Sequence, residues 1–232
     1  MPLPLYLAMT AAEISKKSSP PSHLAYMACH FSPYSTGLSN LPTELPPKSM
    51  LIVNDRIPVQ DHDPVRIRDQ LEQLIDRFSI SCLLLDLQRP NEAQTRAIVK
   101  ALVDLPCPVA VTEQYADGLE CPVFISLPAH TPPKQLADAW QGRDLWLEAT
   151  TDQLCITLTE DGAHISQETP PEVYPFRDDD LICHYRAQVL EDQVRFHLHR
   201  DRKDLEELLS HAQELGFTCA VGLWQELTAT LA

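Results

Sequence analysis

Glycine is scarce in this chain, six residues in 232 against twenty prolines. That excludes long flexible Gly/Ser linkers and points to ordered, Pro-rich connections. Basic residues are few as well: 18 Lys and Arg face 33 Asp and Glu, a formal net charge of −15. With a pI near 4.9, the surface lacks the basic patches that nucleic acid or an anionic membrane requires, so neither is expected as a partner. No Cys-x-x-Cys pair occurs among the seven cysteines, which excludes a zinc ribbon and a thioredoxin-type motif. The odd count points to reduced thiols and a cytoplasmic setting. There is no Gly-rich phosphate loop, no P-loop and no Gly-x-Ser-x-Gly elbow. Nucleotide binding and α/β-hydrolase chemistry are therefore disfavoured, and no cofactor is expected. The apolar run Leu3–Ala12 has no basic residues before it, has Lys16 and Lys17 after it, and is too short to span a bilayer. It reads as part of the fold.

What is present is enough apolar residue, 44%, to build a sizeable core, and the expectation is one domain over residues 1–232. Apolar runs alternate with amphipathic helices. Ser49–Asp55 reads as a buried strand, and Pro64–Phe78 follows with Ile67, Leu71, Leu74, Ile75 and Phe78 on one face behind an Asp63 N-cap. Ser81–Asp86, Cys107–Thr112, Cys121–Ser126, Asp144–Ala149 and Thr218–Leu223 repeat the strand pattern. Helices are expected from near Pro90, over Pro132–Trp140, and through Leu205–Leu215 up to the C-cap Gly216. Counting Leu24–His30 and Leu181–Gln188 gives eight strands and an α/β fold, a degenerate (β/α)₈ TIM barrel, with an open doubly wound sheet as the rival. Two features make it degenerate. Glu113–Glu120 is too short for a helical crossover and Ser32–Lys48 has no helical pattern, while hairpins are expected at Leu154–Ser166 and Tyr185–Leu198.

Barrel enzymes carry their reacting groups just past the C-terminal strand ends. Here those positions hold His30, Asn54 and Asp55, Asp86 and Gln88, Glu113, Glu148, Gln225 and Glu226. Gathered at one rim of an acidic protein, they suit a neutral, hydroxyl-rich ligand; taken singly, each also reads as a strand end meeting solvent. The loop Phe31–Asn40 is expected over the mouth, with Tyr34 as a stacking wall.

The stretch Leu83-Leu84-Leu85-Asp86-Leu87-Gln88-Arg89-Pro90 resembles the strand-end motif of family 18 glycoside hydrolases, the chitinase-like barrels, in which an apolar strand ends in Asp-x-Asp-x-Glu. The resemblance implies that Asp86 stands where the family's Asp orients the substrate's N-acetyl group as nucleophile. Leu84 replaces the preceding Asp, and Gln88 stands in place of the general acid. Gly222-Leu223-Trp224-Gln225 is similar to the end of the family's last strand, where a Trp floors the sugar site; a core-packing aromatic is the competing account of Trp224. Three functions follow. The first is a carbohydrate-binding or pseudo-enzymatic barrel for an oligosaccharide or other small-molecule ligand, because glutamine cannot deliver a proton. The second is an active glycosidase whose acid is Glu113, Glu148 or Glu226. The third is a metal-dependent hydrolase built on His197 and His199, a pair that reads more simply as a solvated hairpin face with no ligated metal. Arg177–Asp180 reads as a solvated loop. No oligomeric state follows from the pattern.

Overall fold

The computed structural model describes residues 3–229 apart from Ser18, Asn91, Asp152 and residues 167–170. In chain order, the first half comprises β1 (Leu5–Met9), α1 (Ala11–Ser15), β2 (Leu24–Phe31), β3 (Leu38–Ser39), β4 (Met50–Asn54), α2 (Pro64–Phe78), β5 (Cys82–Asp86), α3 (Ala93–Leu102) and β6 (Val109–Thr112). The second half comprises β7 (Val123–Ile125), α4 (Pro133–Ala139), β8 (Leu145–Glu148), β9 (Gln153–Thr159), β10 (Gly162–Ser166), β11 (Phe176–Asp178), β12 (Cys183–Val189), β13 (Val194–His199), α5 (Arg202–Glu214), β14 (Phe217–Leu223) and α6 (Trp224–Ala229).

Strands β1, β2, β4, β5, β6, β7, β8 and β14 are parallel neighbours, and β1 pairs with both β2 and β14. That double pairing closes the ring and excludes the open sheet. Alternation along each strand sends one set of side chains inward. Phe124 and Trp146 fill the interior, and Ala8, Ala25 and Ala110 make room for them. The outer face packs against Ile67 and Leu71 of α2, Ile98 and Val99 of α3, and Leu205 and Leu208 of α5, each such side chain contributing about 1.5–3 kcal/mol on burial. Asp63 caps α2 by accepting from the Val65 amide at 3.0 Å, with Pro64 preset for the first helical position. Gly216, at φ 93°, ends the chain's last long helix in the left-handed region. Between β6 and β7 there is only a 3₁₀ turn, Glu113–Tyr115, and between β2 and β4 only β3, antiparallel to β2.

One expected strand is misplaced. Leu181–Gln188 is not in the barrel, and the eighth barrel strand is instead β1, inside the apolar run Leu3–Ala12. The reason lies in the patterns: Leu-Tyr-Leu-Ala-Met is apolar on both faces, as a doubly covered strand must be, whereas Cys-His-Tyr-Arg-Ala-Gln alternates. The alternating segment is β12, in a second, antiparallel sheet of order β10-β9-β13-β12-β11 inserted between β8 and α5. Both expected hairpins belong to it. Arg177 and Asp178 are likewise in β11 rather than a loop. Arg200, fully buried, joins the inserted sheet to the barrel. Its guanidinium donates to the carbonyls of Leu127 at 3.0 Å, Leu181 at 3.1 Å and Ile182 at 3.4 Å. No helix among the described residues is long and apolar enough to cross a membrane.

Candidate functional site at the barrel mouth

The inward alternation that buries Ile52 and Leu84 brings Asn54 and Asp86, two residues further along the same strands, to the C-terminal mouth. Glu148 ends β8 in the same way. These three side chains, with Thr150 and with Glu226 from α6, ring a cavity of about 100 Å³ floored by Phe124. Asp86 and Asn54 also border an adjoining groove of about 540 Å³ that runs past His30, Asn40, Arg56 and Gln88. On the other side, Glu148 and Thr150 open into a hollow of about 360 Å³ shared with Ser126 and His130. The mouth is thus one trough with the acidic cavity at its centre.

Asp86 and Gln88 lie together: Gln88 Nε2 donates to Asp86 Oδ1 at 2.6 Å. Burial raises the Asp86 pKa above the ordinary carboxylate range, and the nearby Asp55 charge adds to this, while the Gln88 bond opposes it. Because folding favours its protonated form, the stability drawn from Asp86 is fully present below the ordinary value of about 3.9. It is lost as pH rises through the raised one. Carboxyl NMR should place Asp86 above a free aspartate, and Gln88→Ala should move it higher still. An unchanged titration in that variant would mean that the 2.6 Å bond carries no weight in solution.

The remaining residues expected at the site divide. Glu148 accepts from Ser126 Oγ at 2.5 Å and Glu226 from Thr150 Oγ1 at 3.0 Å, so hydroxyls hold both carboxylates in the cavity. Ser126 and Thr150 were missed by the sequence reading. Both stand one or two residues past a strand end, where attention to charged and amide groups alone passes over hydroxyls. His30 Nδ1 donates to the Phe31 carbonyl at 2.7 Å, which leaves Nε2 to accept from Asn40 at 3.1 Å on the groove wall. Asn54 is held by the Met27 carbonyl and the Arg56 amide, both at 3.1 Å. Asp55 borders the groove, but it is buried and both its oxygens are engaged by backbone, Gln88 N at 3.0 Å and Arg89 N at 2.8 Å. It shapes the turn that carries Gln88.

Four expected residues fall outside the trough. Glu113 sits in the 3₁₀ turn and bonds Trp140; burial raises its pKa there. Tyr34 is 95% exposed, because its loop packs on α2 through Thr36 and Gln70 rather than closing over the mouth. Trp224 begins α6 beneath the Lys17 ammonium, 4.3 Å from the ring centre, and lines none of the three hollows. Gln225 donates to Glu13 at 2.8 Å, away from them. Phe124 is the aromatic side chain that lines the central cavity. Gly222 is required at the rim, since a Cβ there would strike the Ala149 carbonyl.

His197 and His199 lie in the inserted sheet and border no part of the mouth. His197 is buried rather than solvated, and His199 stacks on Tyr174 with centroids 4.9 Å apart. The group among the described residues with metal-ligating spacing is instead His184, Asp201 and Asp204. Its atoms are already bonded: Asp204 takes His184 Nδ1 at 3.0 Å and lies 3.8 Å from Arg177, and Asp201 and Asp204 cap α5 reciprocally. All seven cysteines are unpaired, and burial pushes the Cys29 thiol up to about 12.

No protein-family profile and no curated protein sequence matches the chain. Solved structures do. A family 18 chitinase from Cycas revoluta in complex with (GlcNAc)4 superposes with TM-score 0.57 at 12% identity, covering 98% of this chain and 97% of that one. The Bacillus cereus spore cortex-lytic enzyme SleL gives 0.55 at 11% identity, over 99% and 74%. Human YKL-39, described as a pseudo-chitinase with retained chitooligosaccharide binding, gives 0.52 at 9% identity, over 96% and 92%. At such identities the likeness speaks to the fold, and the fold of this chain is a (β/α)₈ barrel like that of the family 18 chitinases.

Proposed function

We propose that the chain is a carbohydrate-binding barrel that holds an oligosaccharide across its mouth and lacks the family's own proton donor. The observation that carries this reading is the Gln88–Asp86 bond of 2.6 Å at the rim of the acidic cavity. The carboxylate that would orient an N-acetyl group is present, and its neighbour two residues on is an amide that cannot release a proton at neutral pH. The trough is polar at its centre and open at both ends, which suits a chain of sugars better than a single ring. Chitotetraose at a hundredfold excess over its Kd is expected to stabilise the protein by about 2.7 kcal/mol, read as a rise in Tm. Asp86→Ala should abolish that rise. A panel of oligosaccharides in which none shifts the transition would overturn the reading.

A second reading, hydrolysis with a relocated acid, is favoured by one observation: Glu148 and Glu226 line the same cavity as Asp86. Glu113 lines none of the three hollows, so this reading rests on the other two. Turnover of an aryl N-acetylglucosaminide by the unmodified protein, lost in Glu148→Gln or Glu226→Gln, would decide for this reading.

A further inference from the structure

We propose that the open apolar face of the inserted sheet takes the hydrocarbon or aryl part of an amphiphilic glycoconjugate whose sugar occupies the barrel mouth. This rests on the oligosaccharide reading above and adds to it the chemical class of the ligand. Antiparallel pairing puts Phe176, Tyr185, Phe196, Ile156, Ile165 and Leu158 on one side of the sheet. Near the barrel that side is closed, with Cys183 and Leu198 buried against Ala129. Further out it is open: Ile165 is 60% exposed, Phe176 51% and Leu158 41%. The three rings form a row, with centroids 5.4 Å apart for Phe176–Tyr185 and 6.5 Å for Tyr185–Phe196. The opposite side carries His184, Arg186, Arg195 and His197, and it is there that Tyr174, in the connection leading to β11, stacks on His199. The apolar side is the one that contiguous exposed hydrophobic surface marks as a contact site.

Its occupant follows from continuity and from hydrogen-bonding capacity. One hollow is lined from the mouth by Ser126, Glu148 and Thr150 and from the sheet by Leu154 and Ile165, so a ligand seated in the mouth runs directly onto this wall. Among the six side chains named on that face, only Tyr185 can hydrogen-bond. A glycan lying there would gain no hydrogen bond from the other five, whereas a hydrocarbon gains with every methylene it buries. The mouth therefore takes the polar end and the wall the apolar end of one molecule. Each methylene buried is worth a factor of about four in affinity, so seating three or four of them gives about a hundredfold.

The test uses the full chain, titrated with methyl and octyl β-glycosides of N-acetylglucosamine, the octyl compound kept below its micelle concentration, with chitotetraose and octyl phosphocholine alongside. The expected result is octyl glycoside at least tenfold tighter than methyl. The double variant Leu158→Ser/Phe176→Ser, at two exposed positions that line none of the three hollows, should remove that gain, hold chitotetraose affinity within twofold and leave Tm unchanged. Equal affinity for the two glycosides with chitotetraose still bound would overturn the wall and leave the mouth reading standing. Octyl phosphocholine binding as tightly as the octyl glycoside would overturn the glycan half of the proposal, while chitotetraose binding decides the mouth reading separately. A dimer that the double variant abolishes would assign the face to a second copy of the chain and overturn the proposal.

Discussion

Gln88→Glu is expected to turn the proposed binding site into a hydrolytic one. The replaced amide nitrogen lies 2.6 Å from Asp86 Oδ1, so the isosteric glutamate sets two carboxyl groups at a distance where both cannot stay ionised. They share a proton, and one of the pair titrates well above its ordinary value. That is the condition for a general acid near neutral pH, whose presence is worth about 10²–10⁴ in rate. On a chitooligosaccharide or an aryl N-acetylglucosaminide, the variant should therefore show turnover at least 10²-fold above the parent, and adding Asp86→Asn should remove it. An inactive variant that still binds chitotetraose would mean that the motif is a strand end that holds sugar and nothing more.

The largest stability effect is expected at Arg200. Its three donors serve the carbonyls of Leu127, Leu181 and Ile182 in a fully buried place. Arg200→Met keeps most of the side-chain volume and leaves those acceptors unpaired, each at a cost of about 1–3 kcal/mol. Allowing for relaxation, a loss of about 3–5 kcal/mol is expected, a fall of about 10 °C in Tm for a chain of this size. Arg202→Met, whose exposed partner is Glu206 on the next helical turn, should stay within about 0.5 kcal/mol. Equal effects at the two positions would show that the junction between sheet and barrel does not depend on Arg200.

Legibility in the sequence differs from residue to residue. Runs such as Met50–Asn54 and Cys82–Asp86 were legible because a strand covered on both faces has no polar alternation to obscure it. Asp86, Glu148 and Asn54 were legible for the related reason that they are the first polar side chains in phase with an inward face. Trp224 and Glu113 were not. Each follows a strand end, but the chain turns there into α6 or a 3₁₀ turn, and the period-two rule that aims side chains at the mouth no longer applies. Tyr34 failed differently: whether a loop lies over the mouth or against a helix depends on partners such as Gln70, 36 positions away, which local pattern cannot register. The apolar wall of the inserted sheet was half visible, since its two hairpins were expected but not the register that stacks three rings on one side.

The ring closes between β1 and β14, the first and last strands of the barrel in the chain. Every other parallel junction joins barrel strands that are consecutive along the chain, but this one pairs residues about 215 positions apart, Leu5 with Ala220. During synthesis β1 therefore presents an unpaired edge of apolar backbone for as long as β14 is missing, the arrangement most open to pairing with another chain. Contacts so far apart in sequence also slow folding. The refolding rate should accordingly be most sensitive to substitutions that weaken the β1–β14 seam.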